Sequence, residues 1–184
     1  MTILSKYKWF FIIVGVVVVA EIIWVFKTLG GNVPVTVNVP VVTQNAFIIL
    51  TTPKTTFKVG EKIPVSINID SGKATDGSDI IITYDPNLII VNAPTEVGKI
   101  YEDYPLNTFD NKVGKISVSG ITSAITGKVA KGLFGTVTFE AKAPGKAKIS
   151  VDFTKNSTID SNIIENKTSK DLLGRVGNVE VEIK

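Results

Sequence analysis

The chain of 184 residues contains no cysteine and no histidine. Without cysteine it can form neither disulfides nor thiolate metal sites, and it has no thiol nucleophile. Without histidine, a Ser-His-Asp triad, histidine acid–base catalysis and almost all zinc sites are excluded. Any catalysis would therefore have to rest on carboxylates.

Acidic residues show no arrangement that is typical of an active site or a metal loop. Glu102 and Asp103 are adjacent, but a glycosidase needs two carboxyls at a defined separation in a cleft, and no motif ties a second acid to this pair. The stretches 70–79 and 160–162 lack the DxDxDG spacing of a calcium loop, and solvated turns explain them better. We expect no enzyme activity, no metal site and no cofactor.

Positive charge is not concentrated in the domain that follows the N-terminal segment. The net charge is +3, and residues 1–45 contribute +2 of it through three lysines and one glutamate. The remaining residues carry 17 lysines and arginines against 16 acids. Because nucleic-acid binding needs a concentrated basic surface, we expect no nucleic-acid partner.

The segment Trp9–Phe26 reads WFFIIVGVVVVAEIIWVF and predicts a membrane-spanning helix. Its thirteen Phe, Ile and Val residues, at roughly −0.3 to −0.6 kcal/mol each, outweigh the cost of about 2.5 to 3.5 kcal/mol for Glu21. Lys6 and Lys8 precede the segment and Lys27 alone follows it closely, which places the N-terminus in the cytoplasm and the rest outside.

Two alternatives remain open for this segment. A signal peptide cleaved after Ala20 would remove it, although the apolar run resumes at Ile22 where a cleavable signal should become polar. Glu21 is either a tolerated polar residue or a contact in helix packing or assembly. We predict a signal anchor over residues 1–29 that is not cleaved.

Residues 30–45, GGNVPVTVNVPVVTQN, separate this anchor from the domain at 46–184. Valines alternate along the stretch as in a strand, but Pro34 and Pro40 would interrupt a central ladder. We predict an extended linker that reaches up to about 50 Å at roughly 3.1 Å per residue, with an edge strand as the alternative.

Short apolar runs separated by turn residues recur from Ala46 onward, at a spacing that is typical of a β-sandwich. We predict strands near residues 46–52, 62–69, 78–84, 88–94, 113–122, 133–142, 146–153 and 177–183. Turn signals lie at residues 58–61, 76–77, 85–87, 143–145 and 174–177. One short helix is considered within residues 157–165. The predicted core consists of Ile63, Val65, Ile67, Ile80, Ile82, Tyr84, Leu88, Val118, Phe134, Val137, Phe139, Ile149, Val151, Val179 and Val181.

The stretch GSDIIITYDPNLIIV, residues 77–91, has the clearest pattern of the domain. Apolar Ile80, Ile82 and Tyr84 alternate with residues that are expected to face water. Pro86 lacks a backbone donor, so strand pairing must stop there and the chain must turn.

This stretch and four others, in order, resemble the cohesin domain of bacterial and archaeal cell-surface systems. The others are GEKIPVSINI before it, and GKISVSGIT, GLFGTVTFEAKAPGKAKISV and DLLGRVGNVEVEI after it. The resemblance covers residues 46–184 and implies a jelly-roll sandwich of about nine strands without catalytic activity. It also implies that one sheet face binds a calcium-loaded dockerin, through strands that correspond to residues 77–85, 115–122 and 146–153.

Alternation independently predicts which side chains of these three strands face outward. They are Asp79, Ile81, Thr83, Lys115, Ser117, Ser119, Lys148, Ser150 and Asp152. Small hydroxyls and mixed charges suit a partner helix laid across a flat face, with Ile81 as an apolar anchor. Asp79 matches a position where the resemblance implies an acid or amide at the interface. An ordinary solvated sheet face is the alternative interpretation.

Carbohydrate binding is a second hypothesis, and assembly into a surface layer or filament is a third. Sugar binding needs exposed aromatic rings, and Tyr101 and Tyr104 in KIYEDYP are the candidates, unless they pack against the core. The favoured hypothesis is a single-pass membrane protein, with its C-terminal domain extracellular, that binds a dockerin-like or other cell-surface protein. Asn156 and Asn166 begin glycosylation sequons on that side of the membrane.

Overall fold

The computed structural model describes residues 46–155, 157 and 159–184, and in this part the chain is all-β. It forms twelve strands: β1 (Ala46–Thr51), β2 (Thr56–Phe57), β3 (Lys62–Tyr84), β4 (Ile89–Val91), β5 (Glu96–Val97), β6 (Asp103–Asp110), β7 (Lys115–Ile121), β8 (Lys128–Ala141), β9 (Gly145–Val151), β10 (Asn162–Glu165), β11 (Leu173–Gly177) and β12 (Val179–Ile183). The predicted membrane helix and linker lie outside the described residues. Among those described, no helix is long and apolar enough to cross a membrane.

Strand β3 is 23 residues long and takes part in both sheets of the sandwich. Residues 66–70 pair with β1, and residues 62–70 pair with β8. Residues 77–83 pair with β7, and the opposite edge of this half pairs with β9 and β10. The first sheet therefore contains β11, β1, the first half of β3, β8, β4 and β5, and the second contains β6, β7, the second half of β3, β9, β10, β12 and β2.

The prediction of two separate strands with a turn at residues 76–77 is wrong. The chain bends instead, where the register between β3 and β8 shifts from Asp70 to Ala74. The Ser71 hydroxyl donates to the Lys73 carbonyl at 2.6 Å and accepts from the Ala130 amide at 2.9 Å. Because these bonds provide partners for backbone groups that the bulge leaves out of the strand ladder, the strand continues from one sheet into the other.

Two other local predictions are also wrong. Residues 174–177, predicted as a turn, belong to β11, which pairs in parallel with β1. Residues 162–165, at the end of the predicted short helix, form β10 and pair with β3. In both places pairing with a distant strand overrides the local turn and helix preferences.

The corner at Asp85-Pro86-Asn87 is confirmed. The carbonyl of Asp85 accepts from the amides of Leu88 and Ile89, both at 3.1 Å, and its carboxylate accepts from the Asn87 amide at 2.8 Å. The corner therefore ends β3 and starts the connection to β4.

The predicted core is confirmed, with one residue at its margin. Fourteen of the fifteen predicted side chains are buried, and Leu88 is half-buried and packs against the others. Tyr84 and Phe139 pack edge to face with ring centres 5.2 Å apart. Full burial of such apolar side chains stabilises the fold by about 1.5–3 kcal/mol each, so the interior between the two sheets holds the domain together.

Candidate protein-docking face

The outward surface of β6, β7, the second half of β3 and β9 is called the docking face below. Cross-strand pairs place Asp79 opposite Ser119, Ile81 opposite Ser117, and Thr83 opposite both Lys115 and Ser150. The side chains between them, such as Ile80 and Ile82, are buried. All nine residues predicted to face outward are half-buried or exposed; eight of them lie on these strands, and Asp152 directly follows β9. That they bind a partner remains a prediction.

Strand β6 adds residues that the sequence analysis missed. Leu106 lies opposite Ser119, Thr108 opposite Ser117 and Asp110 opposite Lys115. Strand β6 is at the edge of the second sheet and has no continuous apolar face, so its alternation is weak. Phe109 could have indicated this strand from the sequence. Its side chain packs partly against the core, so the side chains of its neighbours Thr108 and Asp110 point outward.

Hydrogen bonds hold the side chains at the centre of the docking face. Ser119 Oγ donates to Asp79 Oδ1 at 2.5 Å. Ser161 Oγ accepts from the Ile81 amide at 2.9 Å and donates to the Ile81 carbonyl at 3.2 Å. These bonds fix both the carboxylate and the backbone beside it, so this part of the face is organised before any partner arrives.

A pocket of about 170 Å³ lies at the Asp79 end of the docking face. Its wall is partly apolar and partly polar. The lining residues are Asp79, Ile80, Ile81, Leu106, Ser117, Val118, Ser119, Ile159, Asp160 and Asn162. Leu106 is 41% exposed and Ile159 is 90% exposed, so two large apolar side chains stand open to solvent at the mouth of this pocket.

The other end of the docking face carries lysines that lie opposite acids. Lys148 pairs across strands with Glu180, Lys146 with Glu182, and Lys115 with Asp110. A shallow depression between Tyr84, Leu88 and the lysines of β9 lies here. Burial, with a smaller contribution from Asp110, raises the pKa of the Tyr84 phenol. This end is therefore polar and close to charge-balanced.

The two tyrosines proposed for sugar contact do not form an exposed platform. Tyr101 is 4% exposed, and its hydroxyl lies 2.7 Å from the Ser78 hydroxyl. Tyr104 is half-buried, and its ring centre lies 5.4 Å from that of Phe134. Packing against the core, the alternative considered for these tyrosines, is what the structure shows. The reason is that Gly120 leaves room for the Tyr101 ring on the inner surface of β7.

The adjacent acids Glu102 and Asp103 have separate local partners. Glu102 accepts from the Lys128 ammonium at 3.0 Å, and Asp103 accepts from the Tyr104 amide at 2.8 Å. Hydrogen bonds from Thr122 and Lys128 lower the pKa of Glu102. Among the described residues, no group of three or more acidic side chains is placed to hold a metal ion.

No protein-family model matches the chain, and no curated protein matches it. Solved structures do match. A type II cohesin domain from the cellulosome of Acetivibrio cellulolyticus has a TM-score of 0.61 at 18% identity, over 74% of this chain and 94% of that chain.

Two complexes are similar to the same extent. The sixth cohesin of scaffoldin B from Acetivibrio cellulolyticus, in complex with a mutant Cel5 dockerin, has a TM-score of 0.59 at 18% identity, over 76% of this chain and 99% of that chain. A type I cohesin–dockerin complex from Clostridium thermocellum has a TM-score of 0.57 at 20% identity, over 76% of this chain and 99% of that chain. At these identities the likeness shows the fold alone: the described domain is a β-sandwich with the cohesin fold.

Proposed function

We propose that this chain is a membrane-tethered, extracytoplasmic module that binds a dockerin-like or other cell-surface protein through the docking face. The observation that carries the proposal is the composition of that face. Exposed apolar side chains, Leu106 and Ile159, lie next to hydrogen-bonding groups, Asp79, Ser117 and Ser119, around one pocket. Protein interfaces combine apolar anchors and polar groups in this way.

The apolar side chains supply most of the expected affinity. Leu106, Ile81 and Ile159 surround the pocket. Burial of the nearly fully exposed Ile159 under a partner would contribute about 1.5–3 kcal/mol, and the partly buried Leu106 and Ile81 would contribute less. The seryl and threonyl hydroxyls of the same face add orientation more than affinity, because each replaces a hydrogen bond to water.

A dockerin is the first candidate for the partner. Two of the similar solved structures are complexes of a cohesin with a dockerin. The cohesin resemblance implies that the dockerin lies on the strands that correspond to residues 77–85, 115–122 and 146–153, which belong to the docking face.

The proposed location rests on residues 1–45. The apolar segment Trp9–Phe26 is long enough to cross a bilayer, and the lysines before it favour a cytoplasmic N-terminus. The linker at 30–45 would hold the domain away from the membrane surface. In this arrangement the docking face is available to proteins outside the cell.

A pull-down from the secreted proteins of the source organism tests the proposal. The bait is the soluble fragment from Ala46 onward, in calcium-containing buffer, and the expected result is one retained protein that Asp79→Lys or Leu106→Lys releases. Val129→Lys is the matched control, because Val129 is 54% exposed and lies on β8, outside the docking face.

Three results would contradict the proposal. Capture that survives both docking-face variants would place binding elsewhere on the domain. Retention of polysaccharide alone would favour the carbohydrate hypothesis. Association of the fragment with itself during sedimentation, abolished by Leu106→Lys, would assign the face to homotypic assembly.

A further inference from the structure

Two residues that line the pocket beside Asp79 each have a buried side-chain oxygen atom without a hydrogen-bond partner among the described residues. These atoms are Oδ1 of Asp160 and Oδ1 of Asn162, and the two residues are 6% and 7% exposed. Both residues line the pocket. Buried acceptors are seldom left unpaired in folded proteins, so this pair points to a hydrogen-bond donor that enters the pocket.

The other polar atoms of these two side chains hold them in place. Oδ2 of Asp160 accepts from the Thr154 amide at 2.5 Å, and Nδ2 of Asn162 donates to the Asp160 carbonyl at 3.3 Å. Rotating the Asn162 amide by half a turn would bring its oxygen against that carbonyl. The unpaired atom of Asn162 is therefore its oxygen, and both unpaired atoms are hydrogen-bond acceptors.

Asp79 provides a third acceptor group in the same pocket. It lies directly opposite Asn162 in the β3–β10 pair and opposite Ser119 in the β3–β7 pair. Directly opposed residues of antiparallel strands have Cβ atoms about 4.5–5.5 Å apart. Two acidic residues and one asparagine thus line the pocket, and none of its lining residues is basic.

The rest of the lining selects the kind of cation. Leu106, Ile81 and Ile159 form an apolar wall, whereas a calcium ion needs six to eight oxygen ligands. A lysine side chain fits both parts, because its four methylene groups can lie along apolar surface and its ammonium group donates three hydrogen bonds. The planar fork of arginine matches a single carboxylate better than three separate acceptors.

We propose that this pocket receives the side chain of a lysine from the protein that binds the docking face. The inference rests on the proposed function, since the lysine belongs to the partner. It adds the chemical group by which that partner is recognised: an ammonium held by Asp79, Asp160 and Asn162, with its stem against Leu106 and Ile159.

The test uses n-butylammonium, which reproduces the lysine side chain, as the probe. The full chain in detergent micelles, labelled on methyl groups and side-chain amides, is titrated with n-butylammonium chloride and followed by NMR. We expect saturable shifts of the Leu106 and Ile159 methyl signals and of the Asn162 side-chain amide. Uncharged n-butanol, at matched ionic strength, should leave these signals without a saturable change.

Substitutions of pocket residues, compared with a substitution elsewhere, test whether n-butylammonium binds in the pocket. Asp160→Asn preserves the shape but removes a charge, and we expect roughly fivefold weaker binding of n-butylammonium because charge-assisted hydrogen bonds are the stronger ones. Asn162→Asp adds a charge and should bind more tightly. Glu96→Gln is the control, because Glu96 is exposed on β5, outside the docking face, and does not line the pocket.

The outcomes that would overturn the inference are distinct. Equal binding of n-butanol would show a purely apolar pocket, saturable shifts with calcium chloride in place of n-butylammonium would show a metal site, and no saturable shift would show a pocket that holds water. Each of these leaves the proposed function standing if the pull-down succeeds. If the pull-down fails but n-butylammonium binds as expected, the proposed function is overturned, whereas the pocket is still shown to bind an alkylammonium group.

Discussion

The hydroxyl of Ser119 and the carboxylate of Asp79 are joined by a hydrogen bond of 2.5 Å that crosses from β7 to β3. The two residues are direct cross-strand partners, so the bond lies in the plane of the docking face. It holds the carboxylate of Asp79 in one orientation at the edge of the pocket. The first prediction concerns this pair.

Ser119→Ala should weaken capture of the partner less than Asp79→Lys does. Loss of the serine removes one orienting hydrogen bond, worth about 0.5–1.5 kcal/mol, whereas the lysine places a positive charge where we expect a positive group to bind. Titration of each variant with the captured protein, by calorimetry, measures the difference. An effect of Ser119→Ala as large as that of Asp79→Lys would contradict this ranking.

Leu106→Ala should lower the affinity for the partner by about 0.5–1.5 kcal/mol, with a smaller effect on the stability of the domain. The side chain is 41% exposed in the free domain, and a bound partner would cover this remaining area. Val129→Ala, at a similarly exposed valine outside the docking face, is the control. A fall in melting temperature that parallels the loss of affinity would show that Leu106 acts through the fold.

Asn111→Ala should destabilise the domain by about 2–4 kcal/mol. Oδ1 of Asn111 accepts from the Tyr84 hydroxyl at 2.6 Å and from the Val91 amide at 2.9 Å, and Nδ2 donates to the Val91 carbonyl at 2.7 Å. The substitution therefore leaves three polar groups without this partner, the Tyr84 hydroxyl at the end of β3 and the backbone amide and carbonyl of Val91 in β4. Urea unfolding of the fragment from Ala46 onward provides the measurement.

Two comparisons sharpen the Asn111 result. Tyr84→Phe removes one of the three bonds and should cost about 1 kcal/mol. Lys112→Ala, at the exposed neighbouring residue, should change stability by less than about 0.5 kcal/mol. If Asn111→Ala lowers the free energy of unfolding no more than Lys112→Ala does, the hydrogen bonds of the Asn111 side chain do not stabilise this part of the domain.

Gly120→Ala should destabilise the domain by about 1–3 kcal/mol through overpacking. A Cβ atom at this position would lie 2.5 Å from Cδ2 of Tyr101 and 3.1 Å from Cε2 of Phe134, in the buried aromatic cluster. At Gly177 the added atom would approach only the Ile49 side chain, at 3.1 Å, so Gly177→Ala should cost less. The melting temperatures of both variants test this ranking. A lower melting temperature for Gly177→Ala than for Gly120→Ala would contradict it.

Acid should destabilise the domain through carboxylates that are paired in the folded state. Hydrogen bonds from Lys62 and Lys73 lower the pKa of Glu140 and Glu165, respectively. Below the unfolded glutamate pKa of about 4.3 the unfolded chain binds more protons than the folded one, so stability is lost as the pH falls toward the lowered folded pKa.

Melting temperatures between pH 7 and pH 3 give the measurement for this prediction. Glu165→Gln should make the curve shallower below pH 5, since the proton uptake at Glu165 is removed. Glu96→Gln, at an exposed glutamate with no salt bridge among the described residues, is the control and should leave the slope as it is. Equal slopes for all three proteins would contradict the role given to Glu165.

Several features of the docking face followed from local sequence pattern. Alternation has a period of two in any strand, so the inward direction of Ile80 and Ile82 and the outward direction of Asp79 and Ile81 could be predicted without knowledge of the neighbours. The corner at Pro86 was equally local, because proline restricts its own backbone. Strand β6 escaped prediction because an edge strand with little apolar surface has no strong alternation.

The sequence by itself determined the all-β class, the core residues and the three central strands of the docking face, since each depends on the nearest few residues. Tertiary structure decided that β3 passes through both sheets, that Tyr101 is buried, and that Asp160 and Asn162 join Asp79 in one pocket. These depend on which distant segments pair. Asp79 is about 80 positions from Asp160 and Asn162 in the chain, and the pairing of β10 with β3 brings them together.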